Sequence, residues 1–400
     1  MPDLLILCQL VYPELVSTGQ TVTELAEELV RQGMSVEVIA GPMTVTDRRT
    51  QVPKRLHYRG ITIQRVWGTR FSKLSLVGKL VNHLTYSMSV VWQLVRRRVD
   101  CPVLVFTNPP FLAVIAAVIS LIRPIKMIYV IFDVYPETGI QAGVIAPNGG
   151  IARLWRMANQ WCFHRATKII VIGRCMETLI RSQLSPTDRA KLCRMHVWAD
   201  DRQITPTADR GGTDRWSTGG KCVFGYSGNM GRFHDFDTLI RAAAQLDPDQ
   251  THCVFIGEGY AKSAIIRLAR EVNLRCQFHS YVSREELGAV LGSFDVGLVT
   301  LKLGQEGLSV PSKTFGLMAA GLPIIAVMSD ESEIARVIQD CGCGWVIRPG
   351  DVDRLVTVMM LASRMTPDDR RRMGAKGREF LDRQYSLTHA AATLKRWVIE

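Results

Sequence analysis

No apolar run in this 400-residue chain is long enough to cross a bilayer. The longest, FLAVIAAVISLI at 111–122, stops at Arg123, Pro124 and Lys126. A spanning helix needs about 20 such residues, so the stretch reads as a buried helix of an α/β domain, with a helix at a membrane surface as the alternative. The ten cysteines form no CxxC pair, and Cys341 and Cys343 stand too close to bridge. That spacing excludes finger-type zinc and a disulfide framework, and suits reduced thiols in the cytoplasm. The eight histidines include no HxxxH pair. GxxxxGK[ST] is missing, and with it the phosphate cradle of P-loop ATPases. GxSxG is missing, and with it the nucleophile elbow of serine hydrolases. DPD at 247–249 and DVD at 351–353 echo a metal-binding DxD. The first lies in a polar turn and the second at a helix start, so neither is taken as a metal site. Aromatics are not interleaved with the basic residues as in a stacking platform, so nucleic acid is not expected as a partner. The first strand begins next to Met1, so no signal peptide is expected. There is no short tandem repeat.

What the chain does contain is alternation. LLILCQL (4–10), SVEVIAG (35–41), VLVFT (103–107), MIYVIFD (127–133) and KIIVIG (168–173) are apolar runs fit for strands buried on both faces. Helical patterns separate them. TVTELAEELVRQG (21–33) sets Val22, Leu25, Ala26, Leu29 and Val30 on one face and stops at Gly33. The pattern loosens over 196–220, which reads as a linker with a surface loop. It resumes with KCVFGYSG (221–228), HCVFIGEG (252–259), DVGLVTL (295–301) and PIIAV (323–327). Parallel strands with crossover helices, in two α/β domains joined near residue 200, are the expectation. The charge is lopsided: residues 1–195 carry 24 Lys+Arg against 12 Asp+Glu, and residues 196–400 carry 25 against 25. The basic half suits an anionic membrane surface, docked through Arg96–Arg98 and the 48–79 segment; diffuse solvated charge is the alternative.

In parallel α/β sheets, ligands sit at the carboxyl ends of strands. Four loops fall there. GYSGNMG (225–231) follows a strand and precedes a helix, a setting for phosphate oxygens on backbone N–H groups, with Arg232 as a charged donor. Its GxxGxxG spacing is not the GxGxxG of dinucleotide sites, and glycines after a strand also make plain tight turns. In VPSKTFGLMAAGLP (310–323), Pro311 opens a turn, Ser312 is placed to cap a helix, and Gly321 closes it. Lys313 then stands in the first turn, where a cation opposes the helix dipole unless an anion binds there too. FIGEG (255–259) offers Gly257 and Gly259 for close backbone approach to a base or ribose, and Glu258 as an acceptor or a solvated residue. In IFDVYPETG (131–139), Asp133 and Glu137 emerge at a strand's carboxyl end, either to orient an acceptor hydroxyl or to cap a turn.

Together these loops resemble family 4 of the retaining glycosyltransferases of GT-B fold, in the branch that builds O-antigen, colanic acid and other exopolysaccharides. The matching pieces are YPELVSTGQ, IFDVYPE, HVWADD, GYSGNMGRFHDF, FIGEG and VPSKTFGLMAAGLPII, in the family's order. The resemblance implies two Rossmann-like parallel-sheet domains facing across a cleft: residues 1–198 for the acceptor and 199–384 for the nucleotide sugar. A terminal helix, about 385–400, is expected to pack back on the first. It implies retention, no metal or other cofactor, a UDP-sugar donor and a polyprenyl-diphosphate-linked saccharide acceptor. The location implied is the cytoplasm, with peripheral contact at the inner membrane. By the same resemblance Arg232 and Lys313 contact the diphosphate. Ser227, Gly228 and Asn229 form the glycine-loop contacts, Gly19 approaches the donor, and Asp133 lies near the reacting sugar. Many members carry two glutamates with seven residues between them. The corresponding positions here are Leu308 and Gly316, with Glu306 two residues before the first. That departure keeps two other classes open: a nucleotide-sugar-binding protein without chemistry, and a sugar-nucleotide epimerase of the same architecture.

Overall fold

The computed structural model describes residues 2–14, 17–43, 52–71, 76–199, 202–206 and 215–399. Asp200 and Asp201 of HVWADD, and residues 48–51 and 72–75 of the basic 48–79 segment, lie outside the described residues. The chain forms two compact units, one of residues 1–196 with 387–400 and one of residues 197–386.

The first unit runs β1 (Leu4–Leu7), α1 (Ser17–Arg31), β2 (Val36–Ala40), β3 (Arg55–Tyr58), β4 (Ile61–Arg65), α2 (Leu76–Arg96) and β5 (Val103–Phe106). It continues with α3 (Leu112–Ile119), β6 (Met127–Ile131), α4 (Glu137–Gln141), α5 (Gly150–Arg165), β7 (Lys168–Val171), α6 (Arg174–Gln183) and β8 (Leu192–Arg194). The sheet order is β3-β4-β2-β1-β5-β6-β7-β8, parallel except for the β3–β4 pair. All the residues of β1, β5 and β6 are buried. Central strands covered by helices on both faces need apolar residues at every position, which is why they read as continuous runs.

The second unit runs β9 (Cys222–Ser227), α7 (Phe236–Ala243), β10 (Thr251–Ile256), α8 (Lys262–Glu271), β11 (Cys276–His279), α9 (Arg284–Gly292) and β12 (Val296–Thr300). Then come α10 (Lys313–Ala319), β13 (Ile324–Val327), α11 (Glu333–Cys341), β14 (Gly344–Ile347), α12 (Val352–Arg364) and α13 (Pro367–Gln384). Its sheet is wholly parallel, in the order β11-β10-β9-β12-β13-β14. Phe224, Tyr226, Phe236, Phe255, Leu298 and Leu355 fill the core on one face of it. A final helix, α14 (Leu387–Ile399), returns to the first unit and packs on α1. The turns into and out of the second unit run side by side, bridged at Ala199 and Ser386.

Two local expectations change. Ser312 does not cap α10 with its side chain. Its backbone is already helical (φ −59°, ψ −23°), whereas a capping residue holds an extended backbone. The other end closes as expected: Gly321 N–H bonds to Met318 O and Leu322 N–H to Leu317 O, a Schellman stop on a left-handed glycine. The apolar run at 111–122 is buried only in part. Leu112, Ala113, Ala116, Ala117 and Ile119 of α3 are buried, but Val118, Leu121 and Ile122 are exposed.

Candidate active site

The order of a parallel sheet reverses at one point, and the loops there diverge to leave a crevice. In the second unit that point lies between β9 and β12. GYSGNMG leaves β9 there, and the segment leading to α10 leaves β12. Lys313, Tyr226 and His234 meet at this place.

The Lys313 ammonium donates to the Tyr226 hydroxyl and lies 4.2 Å from the centre of that ring. The hydroxyl in turn donates to Asn229 O at 2.7 Å. Lys313 Nζ also lies 3.5 Å from His234 Nε2. His234 Nδ1 is 2.6 Å from Thr300 O, and a carbonyl can only accept, so the proton sits on Nδ1. The lone pair on Nε2 therefore faces the lysine. Burial, with the charge of Lys313 beside it, pushes the His234 imidazole down to about 3, so it is neutral. Burial pushes the Lys313 ammonium down to about 7. Lys313 has no carboxylate partner among the described residues. A cation placed in a half-buried pocket without a counter-ion is a binding site for an anion.

The loop above it is held by interlocking glycines. Gly228 N–H bonds to Ile256 O, Met230 N–H to Glu258 O, and Ala261 N–H to Met230 O. A Cβ on Gly257 would lie 2.0 Å from Gly228 O, and one on Gly259 would lie 2.4 Å from Met230 O. On the side that a Cβ would occupy, the close approach allowed by the FIGEG glycines is used by the backbone of GYSGNMG. Glu258 is tied to Lys262 at 2.7 Å, which holds its carboxyl below the usual range. Ser227 ends β9, and Asn229 is exposed beside it. The N–H groups of Asn229, Gly231 and Arg232 take no protein partner among the described residues. The start of α7 is already occupied, since Asp235 accepts from Thr238 N–H. The Arg232 guanidinium lies 3.4 Å from the centre of the exposed Tyr260 ring, a cation–π stack that fixes its direction.

Leu308 is buried, and Gly316 faces the apolar side chains of Leu291 and Ile204. Glu306 is half-buried, Gln305 beside it is buried with an unpartnered Oε1, and Pro311 is half-buried at the turn into α10.

In the first unit the order reverses between β1 and β5. Gln9 follows β1: its Nε2 donates to Asn82 O, and its Oε1 lies 2.6 Å from His83 Nδ1. Thr107 follows β5 and accepts from the N–H groups of Phe132 and Asp133 at 3.2 and 3.3 Å. Asp133, at the end of β6, has no hydrogen-bond or ion-pair partner for its carboxylate among the described residues. Burial raises it to about 6, against the opposing field of Lys79. Glu137 is differently placed: it begins α4 and pairs with Arg156 Nε at 3.0 Å. Gly19 packs in the first turn of α1 beneath the 10–14 loop, 3.1 Å from Glu14 O at its Cβ position. Tyr226, His234 and Thr300 were passed over in the sequence. The first two lie inside the quoted glycine-rich stretch, but nothing local marks their convergence on Lys313. Among the described residues, no three His, Cys, Asp or Glu stand together to hold a metal ion.

Two α/β units, each with a loop set at the switch point of its sheet, define the GT-B class. Residues 221–361 match the family described as glycosyl transferases group 1, and residues 18–198 match the glycosyl transferase 4-like domain. The chain is 30% identical over 285 residues to the probable glycosyltransferase WbjE of Pseudomonas aeruginosa, covering 70% of each. It is 28% identical over 138 residues to the putative colanic acid biosynthesis glycosyl transferase WcaI of Escherichia coli K12, covering 34% of each. Among solved structures, Anabaena Alr3699/HepE in complex with UDP-glucose superposes with a TM-score of 0.74 at 11% identity, covering 100% of both chains. The chain belongs to the family 4 glycosyltransferases.

Proposed function

We propose that this glycosyltransferase moves a hexose, with retention, from a UDP-sugar to a polyprenyl-diphosphate-linked saccharide. The work is cell-surface polysaccharide synthesis at the cytoplasmic face of the inner membrane, without a metal. The observation that carries the donor half is Lys313, a cation without a counter-ion at the switch point, beneath a loop with three unspent N–H donors. WcaI and HepE, by their names, supply the polysaccharide setting and the UDP-sugar.

The chemistry follows from charge. As the bond from the sugar carbon to the diphosphate breaks, negative charge grows on the leaving oxygen. Lys313, Arg232 and the loop N–H groups stabilise it, the role a divalent cation fills elsewhere. The acceptor hydroxyl attacks from the same face, and its proton passes to the departing phosphate oxygen. Asp133, unpaired at the end of β6, orients that hydroxyl. Glu137 holds Arg156 through Oε1 and keeps Oε2 without a hydrogen-bond partner among the described residues, a second carboxylate oxygen for that part.

The test is turnover with UDP-hexoses and a polyprenyl-diphosphate saccharide, reading the product anomer by NMR, with and without EDTA. Retained configuration, undiminished by EDTA and lost in Lys313→Ala, is expected. Donor binding without transfer supports the binding-protein alternative. Free epimerised or hydrolysed sugar without acceptor supports the epimerase. An inverted product sinks the mechanism.

A further inference from the structure

Helix α2 is built inside out. Its buried face carries Asn82, His83, Tyr86 and Ser87 alongside Val90 and Leu94. Its exposed face carries Val77, Leu80, Leu84, Met88, Val91 and Val95, at the three- and four-residue spacing of one helical stripe. Trp92 stands beside them, 59% exposed, and Met88 is 69% exposed. A helix at a water-facing surface ordinarily shows the reverse arrangement. The apolar surface continues on its neighbours. Helix α3 packs against both α2 and α5. Leu121 and Ile122 after α3, and Ile151, Leu154 and Met157 on α5, are exposed in turn. An apolar surface of this extent marks an interaction site.

Charge selects the occupant. Helices α2, α3 and α5 contain no acidic residue. From residue 48 to residue 176 the sequence has 19 Lys+Arg and only three acids, Asp100, Asp133 and Glu137. Lys79, Arg96 and Arg153 have no acidic partner among the described residues. The Arg96 guanidinium lies 4.7 Å from the centre of the Trp92 ring, at the edge of the stripe. The 96–98 triplet itself is not one patch: Arg97 is spent on Glu37 through two 2.7 Å bonds, and Arg98 pairs with Asp100. An apolar stripe edged by unpaired cations suits the boundary between acyl chains and anionic headgroups. No helix among the described residues is long and apolar enough to cross a membrane.

We propose that the outer face of α2, with those of α3 and α5, is a docking surface for an anionic lipid bilayer, and that α2 lies in the plane of the interface. The proposal deepens the membrane setting of the proposed function, and binding is read here without donor, acceptor or turnover.

The experiment is sedimentation of the full chain with vesicles of phosphatidylglycerol and phosphatidylcholine, and with phosphatidylcholine alone. Quenching of tryptophan by brominated lipid, in wild type and Trp92→Phe, is read beside it. Wild type is expected to bind the anionic vesicles at least ten-fold better than the neutral ones. Leu84→Asp with Met88→Asp, both at exposed positions, should lower that binding at least ten-fold with unchanged circular dichroism. Most of the quenching should vanish with Trp92→Phe. Should the double variant misfold, the quenching arm still decides. Equal binding by wild type and double variant, no binding by wild type, or no quenching at Trp92 would overturn the proposal. So would a dimer of wild type in solution that the double variant dissolves, since a second copy would then be what covers this face.

Discussion

Replacing Gly257 by alanine separates two costs that usually arrive together. The residue has φ +136°, and its added Cβ would lie 2.0 Å from Gly228 O and 2.9 Å from Gly228 C. Neither neighbour is a side chain that can swing away, so the glycine-rich loop itself must move by about 1 Å to restore contact distance, a misplacement that elsewhere costs about 100-fold in rate. Gly350 is the matched control: its φ is +91°, and nothing lies within 4 Å of the Cβ position. Both substitutions carry the backbone penalty of a left-handed residue, about 1–2 kcal/mol. Only Gly257→Ala adds an overpacking cost of about 1–3 kcal/mol. Urea unfolding followed by circular dichroism should therefore show a loss of about 2–5 kcal/mol for Gly257→Ala and about 1–2 for Gly350→Ala. Calorimetric titration with UDP should show affinity lowered at least ten-fold in the first and unchanged in the second. Equal destabilisation by the two, with UDP binding intact in both, would refute the interlock as the device that positions the loop.

Two further predictions rest on titration. Burial raises Asp133 from 3.8 to about 6, so kcat/KM should rise with pH through about 6 and level off. Asp133→Asn should flatten that limb. The same shift makes the folded form hold its proton longer. Its contribution to stability is full below the unfolded value and lost as pH rises through about 6. Lys313 runs the other way, lowered from 10.5 to about 7. Above pH 7 a diphosphate must recruit a proton to it, so UDP affinity should weaken by up to about ten-fold per pH unit. The penalty Lys313 imposes on the unliganded fold should ease between about 7 and 10.5. A pH-independent affinity in wild type, or the same slope in Lys313→Met, would remove the lysine from the site.

The central strands were legible because each is covered on both sides. LLILCQL, MIYVIFD and DVGLVTL contain β1, β6 and β12. The strands that escaped notice lie toward the edges of the sheets: β3 and β4 at one end of theirs and β8 at the other, β11 and β14 at the two ends of the second sheet. Most of their residues are half-buried or exposed: RLHY, ITIQR, LCR and CQFH lack the continuous apolar signal, and GWVI carries it over three residues only. Strand order is also not written in periodicity. That Gly257 meets Gly228, or that His234 turns a lone pair toward Lys313, depends on which strands are neighbours at the switch point. Helix α2 departs from the usual pattern for a different reason. Pattern reading places the apolar stripe inside, whereas here the sheet side is satisfied by hydrogen-bonded polar groups. Tyr86 hydroxyl donates to Ile39 O, and His83 is paired with Gln9.

The return of α14 to pack on α1 has a consequence for synthesis. Because the helix that completes the first unit is encoded after the second unit, the first stays unfinished while residues 197–386 are made and folded. At ordinary elongation rates this interval lasts about 10–40 s. During it, the face of α1 that will receive α14 has no cover, while the apolar stripe of α2 is already exposed. The nascent chain is thus more adhesive than the finished enzyme.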